Sequence, residues 1–263
     1  MPKNYLHIWP RGKYMMIALP NQDKTWTVTL FMPHPIFLSL DTPGALLDFF
    51  KKNYPDAIAL IGKEKLIHDY FNNKALPMIS VKCSPYHVGS TSLLLGDAAH
   101  AMVPFYGQGM NCGMEDCVVL DEIMDQHDDD LEKVLPAYSK HRNPDAEAIV
   151  DLAMYNYIEM RDLVNSRLFL LRKKWDDFLN RILPKKWIPL YTMVTFSRER
   201  YHLCIAKKKW QDNIVGKLVK VFGVVGVAIG VLFTKTEAVH ALSASFLAHL
   251  NSLVGKTLAA AAR

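Results

Sequence analysis

Several patterns that would assign this chain to a class of protein at once are missing from its sequence. The four cysteines form no CxxC pair and no cysteine–histidine spacing suited to zinc, so we expect reduced thiols, an intracellular compartment and no metal site. The net charge of +5 is too small to indicate a nucleic-acid partner. No GxGxxG motif occurs in the 263 residues, so the strand–turn–helix that binds a dinucleotide pyrophosphate is not encoded in them.

Uncharged stretches are short as well. The run VFGVVGVAIGVLF, residues 221–233, has thirteen residues, whereas a helix needs roughly 20 to cross a bilayer. Extension back to Ile214 permits a span if Lys217 and Lys220 snorkel, and a basic segment ending in Trp210 would supply an interface. A buried helix is the alternative interpretation. Residues 238–254 fit an amphipathic helix on the same membrane.

The amino-terminal residues have the pattern of an antiparallel meander. Three short segments, YLHIW, YMMIAL and TWTVTLF, are separated by turn-forming Pro-Arg-Gly-Lys and Pro-Asn-Gln-Asp. Trp26, Val28 and Leu30 alternate with threonines, which predicts a sheet that packs on one face and offers its polar face to a ligand or to solvent. After the meander, Thr42-Pro43 indicates a helix start, and ISVKC is predicted to be a strand.

The stretch LLLGDAAHAMVPFYGQGMN, residues 93–111, predicts a strand, a glycine-rich loop and a helix. A helix amino terminus directs unpaired N–H groups at a ligand and favours negative charge there. Gly107 and Gly109 would allow a ligand to approach the backbone closely. Asp97, at the end of the strand, either accepts hydrogen bonds from sugar-like hydroxyls or caps its own loop, and the residues alone do not decide between the two.

Gly96-Asp97-Ala98-Ala99-His100, with Pro104 and the segment GQGMN, resembles the second flavin-binding motif of the FAD-dependent aromatic hydroxylases, the p-hydroxybenzoate hydroxylase fold class. The resemblance covers roughly residues 1 to 205. It implies that Asp97 binds the ribityl chain of FAD and that the following loop lies along the isoalloxazine ring. The residues that the resemblance assigns to the cofactor are Asp97, Pro104, Gly109, Met110 and Asn111.

Within that class, segments such as MYNYIEMRDLVNS and IPLYTMVTFSRERYH are most similar to members that hydroxylate L-kynurenine to 3-hydroxykynurenine with FAD, NADPH and O₂. Asn156 places an amide on an otherwise apolar helix face, and the resemblance matches it and Tyr191 to residues that contact the substrate. Further positions matched to the substrate side, each of which a core role would equally explain, are Ile17, Leu19, Phe31 and Phe105. No catalytic residue is assigned, and we expect His100 to be a hydrogen-bonded loop histidine.

The resemblance implies an α+β fold: a partial p-hydroxybenzoate hydroxylase-like fold that begins inside the substrate domain and lacks the amino-terminal dinucleotide-binding half. The expected segments are substrate-domain sheet and helices in 1–90, the second part of the FAD-binding domain in 91–142, a helical substrate-capping region in 143–210 and a membrane-associated tail in 211–263. The resemblance also implies attachment to the mitochondrial outer membrane. We expect no turnover by this chain alone; the alternative is a non-catalytic, membrane-anchored remnant of the same scaffold.

Overall fold

The structure, a computed structural model, describes residues 1–221. The chain divides into two units, Met1–Ala206 and Lys207–Arg263. In the second unit, the described residues 207–221 are helical. Most of the predicted membrane span and all of the predicted amphipathic helix at 238–254 lie outside the described residues. In the part of the chain that is described, no helix combines the length and the apolar character that crossing a bilayer requires.

The predicted meander is confirmed. Strands β1 (His7–Pro10), β2 (Met15–Pro20) and β3 (Trp26–Phe31) form an antiparallel sheet in the order β1-β2-β3. Ile17 of β2 lies opposite Ile8 of β1 and Thr29 of β3.

Packing on only one face of this sheet was a wrong expectation. Met15 and Phe31 lie on one face and pack into a core with Val103, whereas Met16 on the other face packs into a second core with Phe50. Both faces are therefore covered at the end of the sheet where β2 begins, because Met15 and Met16 point in opposite directions and both are fully buried. The other end of β3, at Thr27, is exposed.

Four helices follow the sheet. They are α1 (His34–Ser39), α2 (Pro43–Asn53), α3 (Pro55–Ile61) and α4 (Lys63–Asn72). The predicted start of α2 is confirmed, since the Thr42 hydroxyl accepts a hydrogen bond from the Ala45 N–H at 3.2 Å.

The strands predicted in the middle of the chain are shorter than expected. ISVKC is extended but is not part of a sheet; its Val81 and Cys83 N–H groups donate to the carbonyls of Ala101 and Ala99. From TSLLLGD, only Ser92–Leu93 forms a strand, β5, paired antiparallel with β4 (His87–Val88). In this part of the chain, hydrogen bonds to residues 99–101 take the place of strand pairing. An apolar pattern in the sequence cannot predict such hydrogen bonds.

Helices make up most of the remaining unit. They are α5 (Asp97–His100), α6 (Gly109–Gln126), α7 (Leu131–Arg161), α8 (Arg167–Ile182) and α9 (Leu190–Phe196), with 3-10 turns at Pro104–Tyr106 and Leu163–Asn165. Residues 201–206 are also helical. Helix α7 contains two prolines, Pro136 and Pro144. Its buried face, with Val134 and Ile149 on either side of the prolines, offsets the lost backbone hydrogen bonds.

Candidate functional site

An exposed carboxylate lies at the start of α5, beyond the end of β5 at Leu93, so Asp97 is not at the end of a strand as predicted. Gly96 adopts a positive φ of 58°, a conformation that glycine accepts without steric cost, and Asp97 follows as the first residue of α5. The Asp97 side chain is exposed, and within residues 1–221 its carboxylate forms no hydrogen bond or ion pair. The alternative in which Asp97 caps its own loop therefore finds no support in the geometry.

The amino terminus of α6 is open. Gln108 precedes it without a side-chain cap, and Cys112 N–H is the first to bond back into the helix, to the Gln108 carbonyl at 2.8 Å. The N–H groups of Gly109, Met110 and Asn111 therefore precede the hydrogen-bonded ladder and are available to an electron-rich ligand.

The glycines beside this helix start border open space. A Cβ placed on Gly109 or on Gly107, which has a left-handed φ of 68°, would meet no atom within 4 Å among the described residues. Met110 is 74% exposed, and the Asn111 amide donates to the Gln108 side chain at 3.1 Å. The residues thus fit the flavin that the motif predicts, because unpaired N–H donors face open space beside the loop.

The start of α5 is in contact with α6. A Cβ on Gly113 would lie 3.8 Å from the Gly96 Cα, and Gly96 N–H donates to Asp116 Oδ2 at 2.9 Å. Gly109 lies one turn before Gly113 on the same face of α6. The structure therefore places Asp97 and the open end of α6 at one edge of the unit.

A buried ionic cluster below this edge fixes the contact. Asp116 is fully buried and accepts hydrogen bonds from His100 Nε2 at 2.6 Å and from Arg142 Nε at 2.7 Å. Arg142 also pairs with Glu115 at 2.9 Å and donates to the Cys112 carbonyl at 3.1 Å. Helices α5, α6 and α7 are joined at this point.

The charges of the cluster balance. Burial of His100 is the largest single influence and acts to lower its pKa, but the hydrogen bonds and charge interactions with Asp116 and Cys112 together outweigh it and raise the pKa to about 10. Burial of Asp116 acts to raise its pKa, but the hydrogen bond from His100 and the charge of Arg142 hold it below its ordinary value. Two cations, His100 and Arg142, therefore face two carboxylates, Asp116 and Glu115.

Three members of the cluster have the donor atoms of a metal site. One atom from each of His100, Cys112 and Asp116 lies within 4.8 Å of the others. However, the Arg142 guanidinium contacts Asp116 and also Cys112 Sγ, at 3.3 Å. Two of the three potential metal ligands, Asp116 and Cys112, thus already bind a cationic group of the protein itself.

Sequence reasoning did not single out Asp116 or Arg142. A signal was present, because Asp116 shares the buried face of α6 with Cys112, Val119 and Ile123, and an acid on an apolar stripe needs a partner. His100 is hydrogen-bonded, as the sequence analysis expected, but it is the last residue of α5 and is buried, whereas a loop position was predicted.

The residues predicted to face the substrate gather around the 3-10 turn Pro104–Tyr106. Phe105 contacts Phe31 edge to face, with ring centroids 4.8 Å apart, and stacks on Tyr157 at 4.4 Å. Ile17 packs against the same core. Leu19, two residues further along β2, is 44% exposed and is not among the residues that pack against this core.

Both predicted polar contacts to the substrate reach the same turn. Asn156 is half-buried, and its amide donates to the Phe105 carbonyl at 2.8 Å. Tyr191 stacks on Tyr106 with a centroid separation of 5.7 Å. Only Gly107 and Gln108 separate the 3-10 turn that makes these contacts from the open start of α6.

Comparison with known proteins agrees with this geometry. Residues 47–153 match the family model described as FAD binding domain, which includes Asp97, the open end of α6 and the buried cluster. Residues 47–153 are therefore similar to an FAD-binding domain, and individual curated relatives are similar over a longer part of the chain.

Those relatives are kynurenine 3-monooxygenases. The chain is 60% identical to the protein of that name from Anopheles gambiae over 218 residues, which are 83% of this chain and 45% of that protein. The chain is 55% identical to the Sus scrofa protein, over 85% of this chain and 47% of that protein. It is 48% identical to the Caenorhabditis elegans protein, over 87% of this chain and 50% of that protein. The chain thus spans about half the length of the curated relatives it matches.

Replacement of Asp116 by Asn should destabilise the protein strongly. The substitution removes the buried carboxylate that Arg142 and His100 share and leaves Arg142 paired only with the partly exposed Glu115, a loss of about 3–5 kcal/mol in the free energy of unfolding. Urea denaturation followed by circular dichroism measures this difference. Asp121→Asn, on the exposed side of the same helix, is the matched control and should change the free energy by no more than about 0.5 kcal/mol. Equal effects of the two variants would contradict the role given to Asp116.

Stability should fall as the solution becomes alkaline. Folding raises the pKa of His100 from its ordinary 6.5 to about 10, so its contribution is complete below pH 6.5 and is lost as the pH rises through 10. We expect the free energy of unfolding to be lower at pH 9 than at pH 6.5, and His100→Gln to reduce that difference. His34→Gln, at an exposed position, should keep the full difference. A pH dependence that His100→Gln leaves unchanged would contradict the assignment.

Proposed function

We propose that this chain supplies the flavin-facing and substrate-facing residues of a monooxygenase that hydroxylates L-kynurenine to 3-hydroxykynurenine with FAD, NADPH and O₂. One observation carries the proposal: the exposed Asp97 and the uncapped start of α6 lie at one edge of the unit, with space beside Gly107 and Gly109. The identity to kynurenine 3-monooxygenases supports the choice of substrate.

The residues have distinct roles in binding FAD. Asp97 accepts hydrogen bonds from the ribityl hydroxyls, and Pro104 shapes the loop beside the ring. The N–H groups of Gly109, Met110 and Asn111 stabilise negative charge at the pyrimidine edge, without a side chain whose own charge would change with pH. Bound FAD supplies the redox chemistry that activates O₂.

The aromatic residues around the 3-10 turn exclude water and orient the substrate. Phe31, Phe105 and Ile17 form an apolar wall that continues from the buried core, and Leu19 extends the same face of the sheet toward solvent. The Asn156 amide nitrogen is held by the Phe105 carbonyl, which leaves its oxygen to accept a hydrogen bond from the substrate amine. Tyr191, positioned by stacking on Tyr106, contacts the same substrate.

The cellular placement is also a proposal. The relatives' class and the uncharged run at 221–233, preceded by Lys217 and Lys220, support attachment of residues 211–263 to the mitochondrial outer membrane. Detergent extraction of the tagged chain from isolated mitochondria, after a carbonate wash, distinguishes an inserted tail from a peripheral one.

Titration of the purified chain with FAD tests the cofactor site. We expect saturable quenching of flavin fluorescence, with binding weak enough to be lost on gel filtration because no GxGxxG motif grips the pyrophosphate. Asp97→Asn and Gly109→Val should each weaken this binding at least about tenfold, since they remove an acceptor and block the backbone donors.

Two substitutions at matched positions serve as controls for the FAD titration. Asp41→Asn changes an exposed acid before α2, and Gly44→Val changes a glycine in the first turn of α2 that also has open space around it. Both should leave FAD binding unchanged. If FAD does not bind saturably, or binds equally to all four variants, the chain is better described as the non-catalytic remnant.

Binding of L-kynurenine tests the substrate side separately. Saturation-transfer NMR should detect contact of the aniline ring with the protein in the presence of FAD, and Asn156→Leu should abolish it. Asn143→Leu is the control, because Asn143 also donates from α7 to a backbone carbonyl, that of Cys83 at 2.8 Å, yet lies about 20 Å away along the helix. If L-kynurenine binding is lost equally in both variants, the loss in Asn156→Leu comes from a change in the fold and not from a lost contact with the substrate.

A further inference from the structure

Two consecutive residues of α7 hold the aromatic turn Pro104–Tyr106 in place. The Asn156 amide donates to the Phe105 carbonyl at 2.8 Å. The Tyr157 ring stacks on the Phe105 ring, with centroids 4.4 Å apart and planes inclined by 27°. The hydrogen bond fixes the backbone of the turn but leaves the Phe105 side chain free to change rotamer. The stacking contact with Tyr157 is what fixes the direction of the ring.

The sheet encloses Phe105 on a second side. The Phe31 ring of β3 meets it edge to face, with centroids 4.8 Å apart. Stacked and edge-to-face pairs at such separations are favoured arrangements of aromatic rings. Because Phe105 is only 8% exposed, its ring changes position only if a neighbouring side chain moves as well.

Tyr157 is itself held by Arg161, one turn further along α7. The Arg161 guanidinium carbon lies 4.8 Å from the centre of the Tyr157 ring, a cation–π contact. Arg161 donates to the Lys13 carbonyl at 2.9 Å, and the Arg161 carbonyl accepts a hydrogen bond from the Gly12 N–H at 2.8 Å. The turn between β1 and β2 therefore holds the end of α7 and, with it, the Tyr157 ring.

These contacts form a closed cycle. Met15 follows the turn and lies directly opposite Phe31 in the sheet, and Phe31 contacts Phe105. From Phe105 the contacts pass through Tyr157 and Arg161 back to the turn. The fold therefore sets the position of the Phe105 ring before any ligand binds.

We propose that Tyr157 determines the substrate specificity of the site by holding Phe105 in position. This role rests on the proposed function, in which Phe105 forms part of the apolar wall beside the substrate. A wall that cannot move back rejects a substrate whose aniline ring carries an additional group, since one extra methylene in a packed apolar site costs about 10- to 200-fold. Tyr157 is a positioning residue in this account, because it acts through Phe105.

Two ligands measure this specificity: L-kynurenine, and L-kynurenine with one methyl group added to its aniline ring. Saturation-transfer NMR titrations of the full chain in the presence of FAD give a dissociation constant for each. In the unmodified chain, we expect the methylated ligand to bind at least about tenfold more weakly than L-kynurenine.

Replacement of Tyr157 should reduce that ratio of dissociation constants. Tyr157→Leu leaves space beside Phe105 into which the ring can move, so the ratio should fall to about threefold or less. Tyr157→Phe keeps the ring that contacts Phe105 and Arg161 and should keep the ratio. Tyr70→Leu is the matched control, because half-buried Tyr70 also stacks on a phenylalanine, Phe37, with centroids 6.4 Å apart, but packs against the other core.

A double substitution tests whether Tyr157 acts through Phe105. Phe105→Leu alone should lower the ratio, and Tyr157→Leu added to Phe105→Leu should lower it no further, because both substitutions then alter the same wall. Titration with FAD alone should give the same affinity for Tyr157→Leu as for the unmodified chain, since none of the contacts of Tyr157 described above involves the start of α6.

The ways in which these measurements can fail are distinguishable. If the unmodified chain does not bind L-kynurenine, the proposed function is wrong and the role of Tyr157 is wrong with it. If the unmodified chain binds both ligands equally, or Tyr157→Leu weakens both equally, Tyr157 does not determine specificity. If Tyr157→Leu lowers the ratio as much in the Phe105→Leu chain as in the unmodified chain, Tyr157 does not act through Phe105. The last two results overturn this inference and leave the proposed function intact.

Discussion

The buried carboxylate of Asp116 is the constraint on which the rest of the site depends. It accepts hydrogen bonds from the Gly96 backbone and from His100, at the two ends of α5, and from Arg142 of α7. A buried ion pair is weak evidence of net stability, because desolvation of the charges offsets much of their attraction. The effect of this ion pair is to fix the relative positions of α5, α6 and α7, because Asp116 must accept hydrogen bonds from all three donors at once.

That arrangement explains how so little sheet can support a binding edge. Strand β5 has only two residues, too few to position Asp97 by strand pairing alone. The hydrogen bond from Gly96 to α6 replaces the missing strand contacts, and Gly113 allows the two backbones to approach. The open start of α6 is thereby held beside Asp97, and the aromatic residues around Phe105 extend the same edge toward the core.

Local signals in the sequence predicted much of this correctly. The three-stranded meander, the Thr42 cap of α2 and the strand–loop–helix order around Asp97 follow from turn residues, capping residues and apolar periodicity. The one-sided sheet was wrong because Met15 and Met16 are both apolar, so the alternation that distinguishes a core face from a solvent face breaks down at that end.

What the sequence could not show is pairing across long separations. Asp116 is conspicuous as an acid on an apolar helix face, but nothing local identifies Arg142, 26 residues further on, as its partner. The spacing of Leu168, Leu171 and Trp175 can be read directly, yet it is equally typical of a buried helix, and only the structure shows that these side chains are exposed. Contacts from α7 to the Phe105 carbonyl are likewise set by the fold.

The central claim is that the start of α5 and the start of α6 form one flavin-facing surface. Amide resonances of the isotopically labelled chain, recorded during addition of FAD, test it most directly. The account predicts that the amides of Asp97, Gly109, Met110 and Asn111 shift together along one saturation curve, while those of Gly44 and Ala45 at the start of α2 stay in place. Shifts confined to other regions, or separate saturation curves for Asp97 and Gly109, would contradict it.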